Sequence, residues 1–243
     1  MSIDVVDLRN FYAQRLGVVA RRFIGRGIRA RIADARGLSL LGVGYPTPYL
    51  GPFREESERC LAFMPAAQGV VKWPSLRPGL SALVDEFDLP LPDAAVDRVL
   101  LVHALEMAHN PAALLREAWR VLAAGGRLLA VVPNRRGLWA RMDTTPFGHG
   151  RPYSRAQITH LLRDTWFTPL GWSEALYVPP FGRGWFLRSA VAWERTGATI
   201  SAPFAGVHIV EATKQVYRAI PARAERRRFV PALEPALAPS AGA

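Results

Sequence analysis

The chain has 243 residues, half of them hydrophobic, and a net charge of +11 from 31 basic and 20 acidic residues. That length and apolar content predict one large domain with a sizeable core, needing neither disulfides nor structural metal. The single cysteine, Cys60, excludes an intramolecular disulfide, and no apolar run reaches the roughly 18 residues of a membrane span.

The first 30 residues mix Asp4, Asp7 and many arginines with apolar residues and lack an apolar leader segment, so the cytoplasm is the expected compartment. Arginines crowd residues 9–36 and again the tail at Arg223, Arg226, Arg227 and Arg228. Such charge can attract nucleic acid, but no nucleic-acid-binding module is legible, and that partner is disfavoured.

In chain order, residues 4–31 place Val5, Leu8, Phe11, Tyr12, Leu16, Val19, Phe23 and Ile28 at helical spacing between arginines, which predicts one or two amphipathic helices. Residues 1–34 are read as an N-terminal helical segment, 35–220 as the main domain and 221–243 as a disordered, basic, Pro/Ala-rich tail. Residues 38–43 form a short apolar run ending in Gly42 and Gly44, as a buried strand entering a turn does. Residues 51–59 are expected to begin a helix, with strands over 59–64 and 80–84 and an acidic loop after the latter.

Residues 96–102 read as a buried strand, and Asn110-Pro111 starts a helix with proline in its first turn. Gly125-Gly126 closes that helix before a strand over 127–132, giving a parallel crossover unit. Ser154 caps a helix over 155–164. A strand near 172–178, a helix over 184–196 and a last strand over 206–212 complete the expected elements.

The ordered set Asp85-Glu86-Phe87-Asp88-Leu89-Pro90, Asp97-Arg98-Val99, Ala104-Leu105-Glu106, Asn110-Pro111, Arg120-Val121-Leu122, Gly125-Gly126-Arg127-Leu128 and Pro133-Asn134 resembles the class I S-adenosylmethionine-dependent methyltransferases, in particular their type 11 group. The resemblance implies an α/β, Rossmann-like, seven-stranded and mostly parallel sheet with helices on both faces and its last strand antiparallel. It implies S-adenosyl-L-methionine as cofactor, no metal, and a small-molecule methyl acceptor. Cofactor contacts are then expected from Gly42, Gly44 and Tyr45 in the first turn, from Asp85 and Glu86 after the third strand, and from His103 after the fourth. The loop 133–153 would form the acceptor wall, with Asp143, His149 and Tyr153 as candidate bases.

Four positions depart from the family pattern, among them Met107, which stands where a His commonly follows the Glu. Pro46 stands where another glycine is usual, Leu40 replaces an acid in the first strand, and no acid stands near Met64, where the family binds ribose hydroxyls. These departures motivate a second reading, a non-catalytic relative that acts as a binding or partner protein. The two readings differ in whether the space above Gly42–Gly44 is open or filled by Tyr45, Tyr49 and Met64.

Overall fold

The computed structural model describes residues 3–181, 193–194 and 204–216. The expected helix over 184–196 falls almost wholly outside the described residues, as does the tail 221–243.

Two helices open the chain. Asp4 caps α1 (Val5–Ala13) by accepting the Val6 amide at 2.7 Å, and Val5, Leu8, Phe11 and Tyr12 form its buried face. Helix α2 (Arg15–Arg31) buries Ala20, Phe23, Ile24 and Ile28 at three- and four-residue steps. Arg15, Arg21, Arg22 and Arg26 are exposed, whereas Arg29 pairs with Glu56 at 2.7 Å and Arg31 reaches the Ser173 Oγ at 3.0 Å and the Trp172 carbonyl.

Strand β1 (Ser39–Gly44) is buried along its whole length. The next helix, α3 (Thr47–Arg54), starts four residues earlier than the polar run 51–59 suggested. Its apolar residues Tyr49, Leu50 and Phe53 share one face and carry it onto the core, with Pro48 tolerated in the first turn. Strands β2 (Arg59–Pro65), β3 (Ser81–Val84) and β4 (Val96–Val102) follow.

Helix α4 (Pro111–Val121) is capped by the Asn110 side chain, which accepts the Ala113 amide. Strand β5 (Leu122–Pro133) takes over at once, so Gly125-Gly126 lie inside the strand rather than between helix and strand. Helix α5 (Arg155–Asp164) begins with a full capping box between Ser154 and Gln157. Strand β6 (Phe167–Ala175) starts earlier than expected because buried Phe167 already pairs with Lys214 in β7 (Val207–Lys214).

The seven strands pair in the order β3-β2-β1-β4-β5-β7-β6. The first five run parallel, and β7 is antiparallel to both β5 and β6. This is the architecture expected from the sequence. Alternate residues of each strand feed two cores. Leu40, Met64, Leu100, Leu129 and Ile209 meet α1, α2 and α3 on one face. Leu41, Val43, Val99, Leu128 and Val210 meet α4 and α5 on the other.

Among the described residues, no helix is long and apolar enough to cross a membrane. Cys60 is buried, and burial pushes its thiol up to about 11. In the native protein at pH 8, iodoacetamide should therefore leave Cys60 unmodified, with stoichiometric labelling only in denaturant. Rapid native labelling, followed by mass spectrometry, would place Cys60 at an opening surface instead.

Candidate functional site

In open sheets of this kind ligands gather outside the carboxyl ends of the parallel strands. At that edge β1 ends in a tight turn. Gly44 adopts φ 93°, and the Tyr45 amide that follows donates to the Val102 carbonyl at 2.7 Å, tying the turn to the end of β4. The Gly42 Cα faces the Pro46 ring, so close that a Cβ there would lie 2.5 Å from it.

The space over this turn is packed. Tyr45 and Tyr49 are 4% and 3% exposed, and Met64 is fully buried. Tyr12 of α1 lies across them, stacked on Tyr45 with ring centroids 5.8 Å apart and edge-on to Tyr49. Its hydroxyl lies 2.9 Å from the Tyr49 hydroxyl and 2.8 Å from the His103 Nε2. Burial, reinforced by the neighbouring Tyr49, pushes the Tyr12 hydroxyl well above its ordinary pKa, so it stays neutral. The first turn and its aromatic residues thus form a closed aromatic cluster roofed by the N-terminal helix.

Next to this cluster, at the ends of β2, β3 and β4, lies a cavity of about 310 Å³. His103 lines it in a left-handed conformation, φ 50°. Residues other than glycine hold that conformation only where surroundings impose it, commonly at functional sites. Here the Gln68 Nε2 donates to the His103 carbonyl at 3.1 Å, and Tyr12 fixes the ring from the other side.

Glu106 completes the group. Its Oε1 lies 3.2 Å from the His103 Nδ1, but off the line that a hydrogen bond requires. The Glu106 Oε2 and the Gln68 Oε1 are also buried, and among the described residues neither has a hydrogen-bond partner. Both side chains are almost fully buried, 2% and 3% exposed. Buried acceptors in this state are costly unless something in the cavity donates to them. The cavity therefore suits a ligand rich in N–H or O–H donors.

Of the residues singled out in the sequence, His103 and Glu86 line this cavity. Asp85 is exposed, and its carboxylate accepts the Phe87 amide at 2.9 Å within its own turn. Gly42, Gly44 and Tyr45 belong to the closed aromatic cluster beside the cavity. Asp143 and His149 come together in a separate cleft of about 500 Å³ against α1, where the His149 Nε2 lies 2.9 Å from the Asp143 carbonyl. Tyr153 lies apart from that pair. Its hydroxyl donates to the Leu105 carbonyl at 3.1 Å, and burial pushes it up to about 12.

Gln68 and Arg151 also line the cavity without a motif to mark them, and Glu106 is marked only by its place in the segment after β4. The usable signal for Gln68 is its place three residues after Pro65, where β2 ends. A hydrogen-bonding side chain so near a strand's carboxyl end can substitute for an acid at the end itself.

Comparison with known proteins adds to this geometry. The sequence model of the family described as "Methyltransferase domain" matches residues 41–130. A probable S-adenosylmethionine-dependent methyltransferase of Mycolicibacterium smegmatis is 39% identical over 82 residues, which cover 33% of this chain and 32% of that protein. A protein of the same description from Mycobacterium tuberculosis matches at 39% identity over 33% of this chain and 30% of its own length. The match thus spans about a third of the length of these curated relatives.

Solved structures share the fold over most of the chain. An S-adenosylmethionine-dependent methyltransferase of Mesorhizobium loti superposes with a TM-score of 0.55 at 13% identity, covering 78% of this chain and 96% of that one. A [4+2]-cyclase superposes with a TM-score of 0.57 at 22% identity, covering 82% of each chain. At these identities the likeness establishes the fold and leaves the chemistry to the site.

The residues present can be tested against an S-adenosyl ligand. Its nucleoside end offers hydroxyl and amino donors, which suit the unpartnered Gln68 and Glu106 oxygens and the adjoining Glu86. The first turn, where the amino-acid end would approach backbone, is roofed by Tyr12. The donor set fits, provided α1 shifts.

Proposed function

We infer that this chain is an S-adenosylmethionine-dependent methyltransferase that acts on a small molecule and holds the nucleoside end of its cofactor in the cavity between β2, β3 and β4. The observation that carries this reading is that Gln68 and Glu106, which line that cavity, each hold a buried acceptor oxygen with no hydrogen-bond partner among the described residues. The matching methyltransferase domain and the curated relatives support the same ligand.

When bound, the cofactor supplies an electrophilic methyl group. The protein's contribution is then orientation and exclusion of water. Gln68 and Glu106 would accept the ligand's hydroxyl or amino hydrogen bonds.

S-Adenosylhomocysteine titrated calorimetrically into the folded protein should bind saturably. Gln68→Leu should weaken it about 2- to 10-fold, the loss expected for a neutral hydrogen bond of about 0.5–1.5 kcal/mol. Asp85→Ala should leave it unchanged, because that carboxylate is exposed and bonded within its own turn. No binding to protein shown to be folded would reject the reading.

A non-catalytic role is the second reading. It is favoured by the closed turn, where Pro46 abuts Gly42 and three tyrosines fill the space above. That the fold also serves a [4+2]-cyclase shows that it does not by itself require methyl transfer.

A further inference from the structure

Helices α2 and α3 enclose a surface groove of about 850 Å³. Its floor is apolar, with the Tyr49 and Phe53 side chains beneath, Pro48 and Pro52 along the α3 side, and Val18, 43% exposed, on the α2 side. Glycines keep it open. A Cβ at Gly51 would meet nothing within 4 Å, and one at Gly25 would meet only the Tyr49 ring, at 3.8 Å.

The rim is basic. Helix α2 contains six arginines and no acid. Its core face takes Phe23, Ile24 and Ile28, so the helical period turns Arg15, Arg21, Arg22, Arg26 and Arg29 to the other side. Four of these, Arg21, Arg22, Arg26 and Arg29, line the groove. Arg29 pairs with Glu56 at 2.7 Å, which neutralises the acid on this wall. Arg21, Arg22 and Arg26 are exposed, and among the described residues none of them pairs with a carboxylate. Arg26 and Arg29 lie over the Phe23 and Phe53 rings, 5.6 and 5.3 Å from the centroids, which holds charge beside the apolar floor.

Charge decides the occupant. Residues 217–243 carry five arginines against two glutamates, and the whole chain is +11, so neither its own tail nor a second copy of this face complements the groove. The partner is anionic, and it must also cover apolar surface. Nucleic acid would supply only the charge. Tyr49 and Phe53, 3% and 2% exposed, offer its bases no stacking platform. An anionic lipid supplies both parts, a phosphate for the guanidinium groups and methylene groups for the floor.

We propose that the α2–α3 face docks on an anionic membrane leaflet, with lipid phosphates on Arg21, Arg22 and Arg26 and the groove with Val18 settling into the interface. Docking is peripheral and reversible, because one charged face and a narrow apolar strip carry it. Among the described residues no helix is long and apolar enough to go further.

The test is flotation of the full chain with vesicles of phosphatidylcholine alone and of phosphatidylcholine mixed equally with phosphatidylglycerol. The chain should float with the mixed vesicles, stay behind with the neutral ones, and be released as salt rises. Arg21→Gln combined with Arg22→Gln should weaken partitioning roughly 25-fold, about fivefold for each arginine near such a surface. Its melting temperature should not change, because both side chains are exposed. The same loss of charge in the tail, Arg226→Gln combined with Arg227→Gln, should cost less. Val18→Ser should weaken partitioning about two- to fivefold through lost apolar burial. No flotation with the mixed vesicles would overturn the docking. A tail variant that loses as much as the α2 variant would move binding to the tail, and Val18→Ser without effect would leave a diffuse attraction with no seated groove; either overturns the proposal. Tighter binding per phosphate to polyuridylate than to the mixed vesicles, lost in the same α2 variant, would reassign the face to nucleic acid.

Discussion

Gly44→Ala is expected to destabilise the protein by about 3 kcal/mol or more, which for a chain of this size lowers the melting temperature by roughly 10 °C. Two costs combine. A residue with a Cβ at φ 93° carries backbone strain of about 1–3 kcal/mol. The added methyl would also lie 2.2 Å from the Val102 carbonyl oxygen and 2.9 Å from the Ala104 Cβ. The carbonyl is backbone, and it already accepts the Tyr45 amide, so it cannot swing aside without releasing the turn. Gly125→Ala is the matched control. It too has positive φ, 75°, but nothing lies within 4 Å of the added methyl, so only the strain should register. Thermal unfolding followed by circular dichroism separates the two. Equal losses would mean that the β1 turn is not packed against β4 as described.

Parts of the molecule are written locally in the sequence. Asn110-Pro111 and Ser154 announce helix starts through side-chain caps that act within three residues, and both caps are present. The parallel core strands announce themselves as unbroken apolar runs, because both their faces are covered. The errors fall where tertiary contacts overrule local signals. Helix α3 begins at Thr47 because Tyr49, Leu50 and Phe53 find the core together, although the polar run after them looked more helical. Strand β5 runs through Gly125-Gly126 because β4 pairs with Leu122 before the expected start.

The site was less legible for the same reason. That residue 12 would sit between residues 49 and 103 has no sequence-local signal, since the contact joins helices and strands distant in the chain. The departures at Pro46 and Met64 did point to an altered first turn, and the turn is filled by the tyrosines that follow it. What they could not reveal was the neighbouring cavity. It depends on Gln68 folding back onto the His103 carbonyl and on Glu106 being carried inward by the turn after β4.

Tyr12→Phe separates stability from ligand access, and the two should move in opposite directions. Removing the hydroxyl leaves the ring in its stack on Tyr45 but strips the Tyr49 hydroxyl and the His103 Nε2 of a shared partner. Stranding buried polar groups costs about 1–3 kcal/mol, so urea unfolding should shift to lower denaturant with little change in slope. The lost bonds, however, stabilise specifically the arrangement in which α1 covers the first turn. If an S-adenosyl ligand needs that helix displaced, its apparent affinity is reduced by the small fraction of molecules that are open. Loosening the cover by about 1–2 kcal/mol should then tighten S-adenosylhomocysteine binding roughly 5- to 30-fold. A variant less stable yet tighter-binding identifies α1 as a movable roof. Weaker binding in step with lower stability would show instead that Tyr12 is part of the ligand's own wall, and that the aromatic cluster must stay assembled for the cavity to work.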